Sequence, residues 1–120
     1  QIALCDMIPN AQVVIVTTPQ DVALLDCKKG IELFVQKNIK ILGIVENMSG
    51  HICSHCGNID NIFGENGADS LSKKYSISVL GKIPIETTIR VNADLGSPIA
   101  FTECKTSELY CDIARRMETL

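Results

Sequence analysis

Three uninterrupted aliphatic runs, separated from one another by helical patterns, leave this chain few possible folds. "QVVIVTT" (12–18), "IKILGIVEN" (39–47) and "ISVLGKIP" (77–84) are rich in Val and Ile. None alternates apolar with polar as a half-exposed strand would, so each reads as a strand buried on both faces of a parallel sheet. A helix should follow the first run directly. In "TPQD", Thr18 can cap, Pro19 suits the first helical position, and Asp21 places a carboxylate in the first turn, where the helix dipole favours it. Leu24, Cys27, Ile31 and Phe34 then recur on one face, and the pattern ends near Asn38. "ENGADSLSKKYS" (65–76) predicts a second helix of about a dozen residues. "TTIRVNADLGSP" predicts a short one stopped by Gly96 and Pro98, and "TSELYCDIARRMETL" a capped terminal one, while "IALCDMI" reads as the tail of a helix. Repeated β-α-β alternation implies an α/β fold, with a parallel sheet flanked by helices through right-handed crossovers. At 120 residues, 46% of them hydrophobic, positions 1–120 should form one domain.

Charge excludes some functions. The net charge is −3 and the Lys and Arg residues are scattered, so there is no footprint for nucleic acid. No apolar run reaches the roughly 18 residues a membrane span needs, and the N-terminus lacks the layout of a signal peptide. The expectation is a soluble, cytoplasmic chain with neither nucleic acid nor membrane as partner.

Function should sit beyond the carboxyl ends of the strands, where open parallel sheets bind ligands. Those ends are "TTPQD", "VENMSGHICSHCG" and "GKIPIE". The second holds Cys53 and Cys56 in a polar, Gly-containing stretch. Of the other cysteines, Cys5, Cys27 and Cys111 lie among apolar neighbours in helical segments, where a thiol acts as a small hydrophobe, and Cys104 looks incidental. A C-x-x-C pair serves zinc sites, iron-sulfur clusters and thiol exchange. A thiol-exchange pair normally opens a helix straight after a strand, whereas this one is set among Gly50, Ser54, Gly57 and Asn58, which favours a metal. Two thiolates fill half of a four-thiolate shell. Either His51 and His55 complete a zinc site within one short, strained loop, or a second copy of the chain brings its own pair to a shared cluster about a two-fold axis. The second completion strains the loop less.

Taken together, "VIVTTPQDVALLDCKKGI", "ILGIVENMSGHICSHCG", "IFGENGADSLSKKY" and "VLGKIPIETTIRVNADLGSPI" resemble the Mrp/ApbC family of iron-sulfur cluster carrier proteins, relatives of MinD with a deviant-Walker P-loop. The likeness runs in order over about residues 10 to 100, and "VENMS" ahead of CxxCG is its most specific part. It implies an ATPase that homodimerises, bridges a 4Fe-4S cluster on its CxxC pairs and passes it to apo-proteins. Carried over by position, Cys53 and Cys56 would be the metal ligands. Asn47 would read the adenine ring, and Pro84, Ile85 and Glu86 would line the adenine pocket with their backbone. An amide can match adenine's donor and acceptor together, although a strand-end Asn also commonly caps its own backbone.

The family's phosphate machinery has no counterpart here. No stretch fits G-x-x-x-x-G-K-[ST], the loop that cradles phosphates with backbone N–H groups. The resemblance therefore implies the C-terminal portion of a longer P-loop ATPase, whose ATP and magnesium chemistry belongs to the parent. This portion should not hydrolyse ATP by itself, and should keep half of the adenine site. A buried-type strand left at an open edge further implies a homodimer or a swapped oligomer. Two other readings use the same CxxC: a zinc-stabilised dimerisation or interaction module, and a thiol oxidoreductase.

Overall fold

The computed structural model describes all 120 residues. In chain order it contains α1 (Ile2–Met7), β1 (Gln12–Thr17), α2 (Asp21–Gln36), β2 (Lys40–Glu46), β3 (His51–Ile52), β4 (Ile59–Asp60), α3 (Gly67–Tyr75), β5 (Val79–Lys82), α4 (Thr87–Asp94), a 3-10 turn (Ile99–Phe101) and α5 (Lys105–Glu118). The three aliphatic runs form one sheet in the order β1-β2-β5, parallel at both pairings, and β3 pairs β4 in a separate antiparallel hairpin.

Adjacent residues of β2 explain why the runs do not alternate. Ile44 points into a core with Ile15, Ile31, Phe34, Ala68 and Leu71, contributed by β1, α2 and α3. Val45 points the other way, into a core with Leu80, Ile83 and Ile113. Both faces of the central strand are dry, so both need apolar side chains. The second core depends on a close approach of α5 to the sheet: a Cβ at Gly81 would lie 2.6 Å from Ile113 Cγ1.

β1 departs from the expectation of burial on both faces. Ile15 is buried but Val16 is 60% exposed. The strand is an edge of the sheet, and α5 packs over β5 and β2, so the outward face of β1 receives little cover.

Helix ends shift where local chemistry overrides pattern. α2 starts at Asp21 with Gln20 at its N-cap and no side-chain cap. Thr18 spends its hydroxyl on Gln20 Oε1 at 3.0 Å, so it is not the cap, and Pro19 lies ahead of the helix. α2 closes at Gln36, before a left-handed Asn38. α3 is nine residues, trimmed by left-handed Asn66 and Ser76 at its two ends. Cys104 is not incidental. It is the N-cap of α5: its Sγ accepts from the Ser107 amide at 3.4 Å while its own amide donates to Ser107 Oγ at 3.2 Å. This reciprocal pairing satisfies a donor that the first helical turn would leave unpaired. The Thr102 hydroxyl, and after it the Ser107 amide, hold the Cys104 thiol below its ordinary pKa.

Candidate metal centre

The site is assembled where β2 runs out of sheet. The Asn47 amide makes a last ladder bond to Thr17 O at 2.7 Å, and Met48 and Gly50 then take positive φ, turning the chain back on either side of Ser49. Glu46 anchors this exit. It is fully buried, with Oε1 accepting from the Ser49 hydroxyl at 2.6 Å and Oε2 accepting from the Ala68 amide at 2.7 Å. A carboxylate in a dry core is costly unless both oxygens are matched, and here a hydroxyl and the first turn of α3 match them. The anchor was missed in the sequence, where its one signal is a lone acidic residue closing an apolar run.

Residues 49–52 then run beside the continuation of β5. The Ser49 amide donates to Ile83 O at 2.8 Å, the Ile85 amide donates to Gly50 O at 2.7 Å, and His51 pairs in parallel with Ile85. Gly50 permits this by more than its φ of 83°, since a Cβ there would lie 2.9 Å from Ile59 Cγ2. The polar stretch is therefore a tight hairpin, with His51 opposite Asp60 and Ile52 opposite Ile59. Its tip is closed by the Cys53 amide donating to Asn58 O and the Gly57 amide donating to Cys53 O, both at 2.9 Å.

Both cysteines sit on that tip as free thiols, Cys53 half-buried and Cys56 exposed. The backbone amide of Cys56, then that of His55, then the Cys56 side chain lower the pKa of the Cys53 thiol. Amide dipoles gathered on one sulfur favour its thiolate, the form that ligates metals. Nowhere do three or more His, Cys, Asp or Glu side chains converge as a metal-binding group. His51 lies in the hairpin ladder and His55 is exposed on the tip, so one chain does not assemble the two-Cys, two-His shell that the sequence left open.

Two clefts flank the hairpin's attachment. One, about 240 Å³, lies between hairpin and α4 and is lined by His51, Ile52, Ser54, Glu86, Thr87 and Thr88. The other, about 220 Å³, brings together Asn47, Pro84, Ile85 and Glu86, the four residues picked from sequence, and adds Ile89 and Arg90 from α4. Glu86 is the wall between them, held by the hydroxyls of Thr106 at 2.8 Å and Thr88 at 3.1 Å. Asn47 Oδ1 accepts from the Met48 amide at 2.9 Å. The backbone-capping role is thus filled by the oxygen, and the side-chain NH2 remains as a donor.

Comparison with known proteins places the chain in a family. The ParA family, described as NUBPL iron-transfer P-loop NTPase, matches residues 1–118. The chain belongs to this family. Among curated relatives, the iron-sulfur cluster carrier protein of Pseudomonas fragi is 48% identical over 86% of this chain and 36% of its own length. That of Escherichia coli K12 is 44% identical over 98% of this chain and 32% of its own. The iron-sulfur cluster transfer protein NUBPL of Dictyostelium discoideum is 41% identical over 97% and 36%. The chain thus spans about a third of the length of these relatives. Among solved structures, a nucleotide-binding protein of Archaeoglobus fulgidus in complex with ADP is 39% identical, with a TM-score of 0.64 over 74% of this chain and 36% of that one. The cell-division ATPase MinD of Pyrococcus furiosus shares the fold, with a TM-score of 0.69 at 22% identity over 90% and 42%. The chain accordingly has the fold of part of a MinD-like P-loop protein, and none of its helices is long and apolar enough to cross a membrane.

Proposed function

We propose that this chain is the cluster-holding part of an iron-sulfur carrier. Cys53 and Cys56 supply two thiolates, a second copy supplies two more, and the 4Fe-4S cluster between them is cargo for apo-proteins. The carrying observation is a pair of free cysteines on an anchored hairpin with no group of three or more metal donors around it. Four thiolates are the ordinary complement of such a cluster. An exposed tip suits a cargo that must leave, because a recipient's thiols can reach it.

The same reading gives the second cleft to the base of a nucleotide. Pro84, Ile85 and Ile89 offer apolar surface to a ring, and the Asn47 NH2 offers a donor to a ring nitrogen. About 220 Å³ is below the roughly 300 Å³ at which small-molecule sites begin, so the cleft takes a base and leaves phosphates to groups outside it. ATP and magnesium chemistry belongs on this reading to the longer parent.

The test is anaerobic reconstitution with iron and sulfide, read by visible absorption and iron content. The expected result is a brown protein with about four irons per two chains, lost in both Cys53→Ala and Cys56→Ala. A colourless protein that retains zinc would replace this reading with a structural zinc module.

A further inference from the structure

One residue at the exit of β2 adopts a backbone conformation that its side chain disfavours. Besides glycines, the residues with positive φ are Asn10, Asn38, Met48, Asn66 and Ser76. Asn66 and Ser76 flank α3 and Asn38 lies just past α2, and asparagine in particular tolerates the left-handed region. Met48, at φ 54°, is the one apolar residue among them, and it is 42% exposed, so core packing does not account for its identity. Its neighbours fix the conformation. The Met48 amide donates to Asn47 Oδ1, the Gly50 amide donates to Met48 O at 3.1 Å, and the Ser49 amide and hydroxyl are tied to Ile83 O and Glu46 Oε1. A glycine would take this conformation without the Cβ penalty, as Gly50 does two residues on. Strain of this kind persists where surrounding bonds over-determine it, as at ligand-binding sites.

The Met48 side chain lines the cleft of about 220 Å³. The other apolar side chains there, Pro84, Ile85, Ile89 and Ala93, all come from one stretch of chain, residues 84–93. Met48 alone comes from the exit of β2, next to the Asn47 NH2. A flat ring in the cleft without it would meet apolar surface from one segment and a hydrogen-bond donor from the other. Methionine suits the remaining contact, because its unbranched chain adapts its shape and its polarizable sulfur attracts aromatic rings.

We propose that Met48 is a base-contacting residue of this cleft, held in its left-handed turn so that the thioether packs on the ring while Asn47 beside it bonds the ring's edge. This rests on the proposed function, which gives the cleft to the base of a nucleotide. It adds that the strained turn is the means by which one short segment delivers a donor and a ring contact together.

The test uses ADP as the probe and the full-length protein, with Met48→Gly, Met48→Leu and Asn47→Ala. Met48→Gly removes side chain and strain together, so its urea midpoint should stay at or above that of wild type while its affinity for ADP falls about three- to tenfold. Met48→Leu keeps apolar bulk and should bind ADP more tightly than Met48→Gly. Pyrophosphate, which has no base, should bind wild type and both Met48 variants alike. In methyl-labelled protein, the methionine signal that Met48→Leu deletes should move on addition of ADP, as a methyl group over an aromatic ring does. A Met48→Gly protein that binds ADP like wild type, or a Met48 methyl signal that ADP leaves in place, would overturn the contact. So would an equal loss of ADP and pyrophosphate binding, which would make Met48 a structural residue only. Failure of the base reading looks different, because Asn47→Ala would then also bind ADP like wild type, whereas an overturned Met48 contact leaves Asn47→Ala weakened.

Discussion

The base and the tip of the cysteine hairpin follow opposite physical rules within a dozen residues. At the base, the buried carboxylate and the exit backbone are matched inside the chain. Glu46 accepts from Ser49 and Ala68, and the backbone of residues 47–51 bonds to Thr17, Ile83 and Ile85. At the tip, the backbone is closed but the side chains are open: Cys53 and Cys56 are free thiols, Cys56 is exposed, and Ile59 beside them is 68% exposed. On the proposed carrier reading, the base fixes where the sulfurs stand and the tip leaves their valence for a ligand.

Four substitutions or conditions break or sharpen that contrast. The largest effect belongs to the tip. Cys53→Ala or Cys56→Ala should abolish iron loading while leaving the denaturant midpoint within about 0.5 kcal/mol of wild type, as surface changes do. A large stability loss would mean that the cysteines are structural. Beneath the base, Ile44→Ala removes a fully buried side chain from the first core and should cost roughly 2–5 kcal/mol in urea unfolding. Its tip should still load iron wherever the protein remains folded. Glu46→Ala comes next. It leaves the Ser49 hydroxyl and the Ala68 amide unmatched, for a loss of roughly 1–3 kcal/mol. Because this anchor connects base and tip, Glu46→Ala should also speed hydrogen exchange at the Ile85 amide, which bonds to Gly50. Unchanged exchange there would show that Glu46 does not hold the hairpin.

The smallest effect serves as a control far from the hairpin. Thr102 and Ser107 lower the pKa of Cys104 in the folded chain, so its thiolate caps α5 better than its thiol does. Folding then favours deprotonation. The added stability is fully present above the ordinary thiol pKa and is lost as pH falls through the lowered folded value. Urea midpoints measured from neutral to alkaline pH should rise slightly more in wild type than in Cys104→Ser. Parallel curves would remove the thiolate cap.

Legibility in the sequence followed the scale of the cause. Residues 39–47 and 77–84 read as strands because two dry faces demand an unbroken apolar run, whatever the rest of the chain does. Val16 misled that reading, since a strand's composition does not reveal that a neighbouring helix stops short of it. The hairpin was invisible for a different reason: His51–Ile52 and Ile59–Asp60 are two residues each, too short to show a period of two. Thr18 and Cys104 were misjudged together. A threonine before a proline is a good cap by type and a cysteine a poor one, yet the hydroxyl went to Gln20 and the sulfur met the Ser107 amide.

The three sheet strands, the helices between them and the CxxC on the functional rim were legible in the sequence alone, because each depends on residue types at short spacing; Asn47, Pro84, Ile85 and Glu86 were singled out only through the family resemblance. Tertiary structure alone decided that Glu46 is an anchor, that His51 and His55 do not join the cysteines, and that Ile52 faces Ile59. These depend on which distant backbone passes beside which side chain, and a buried carboxylate or an exposed isoleucine acquires its meaning only from that neighbour.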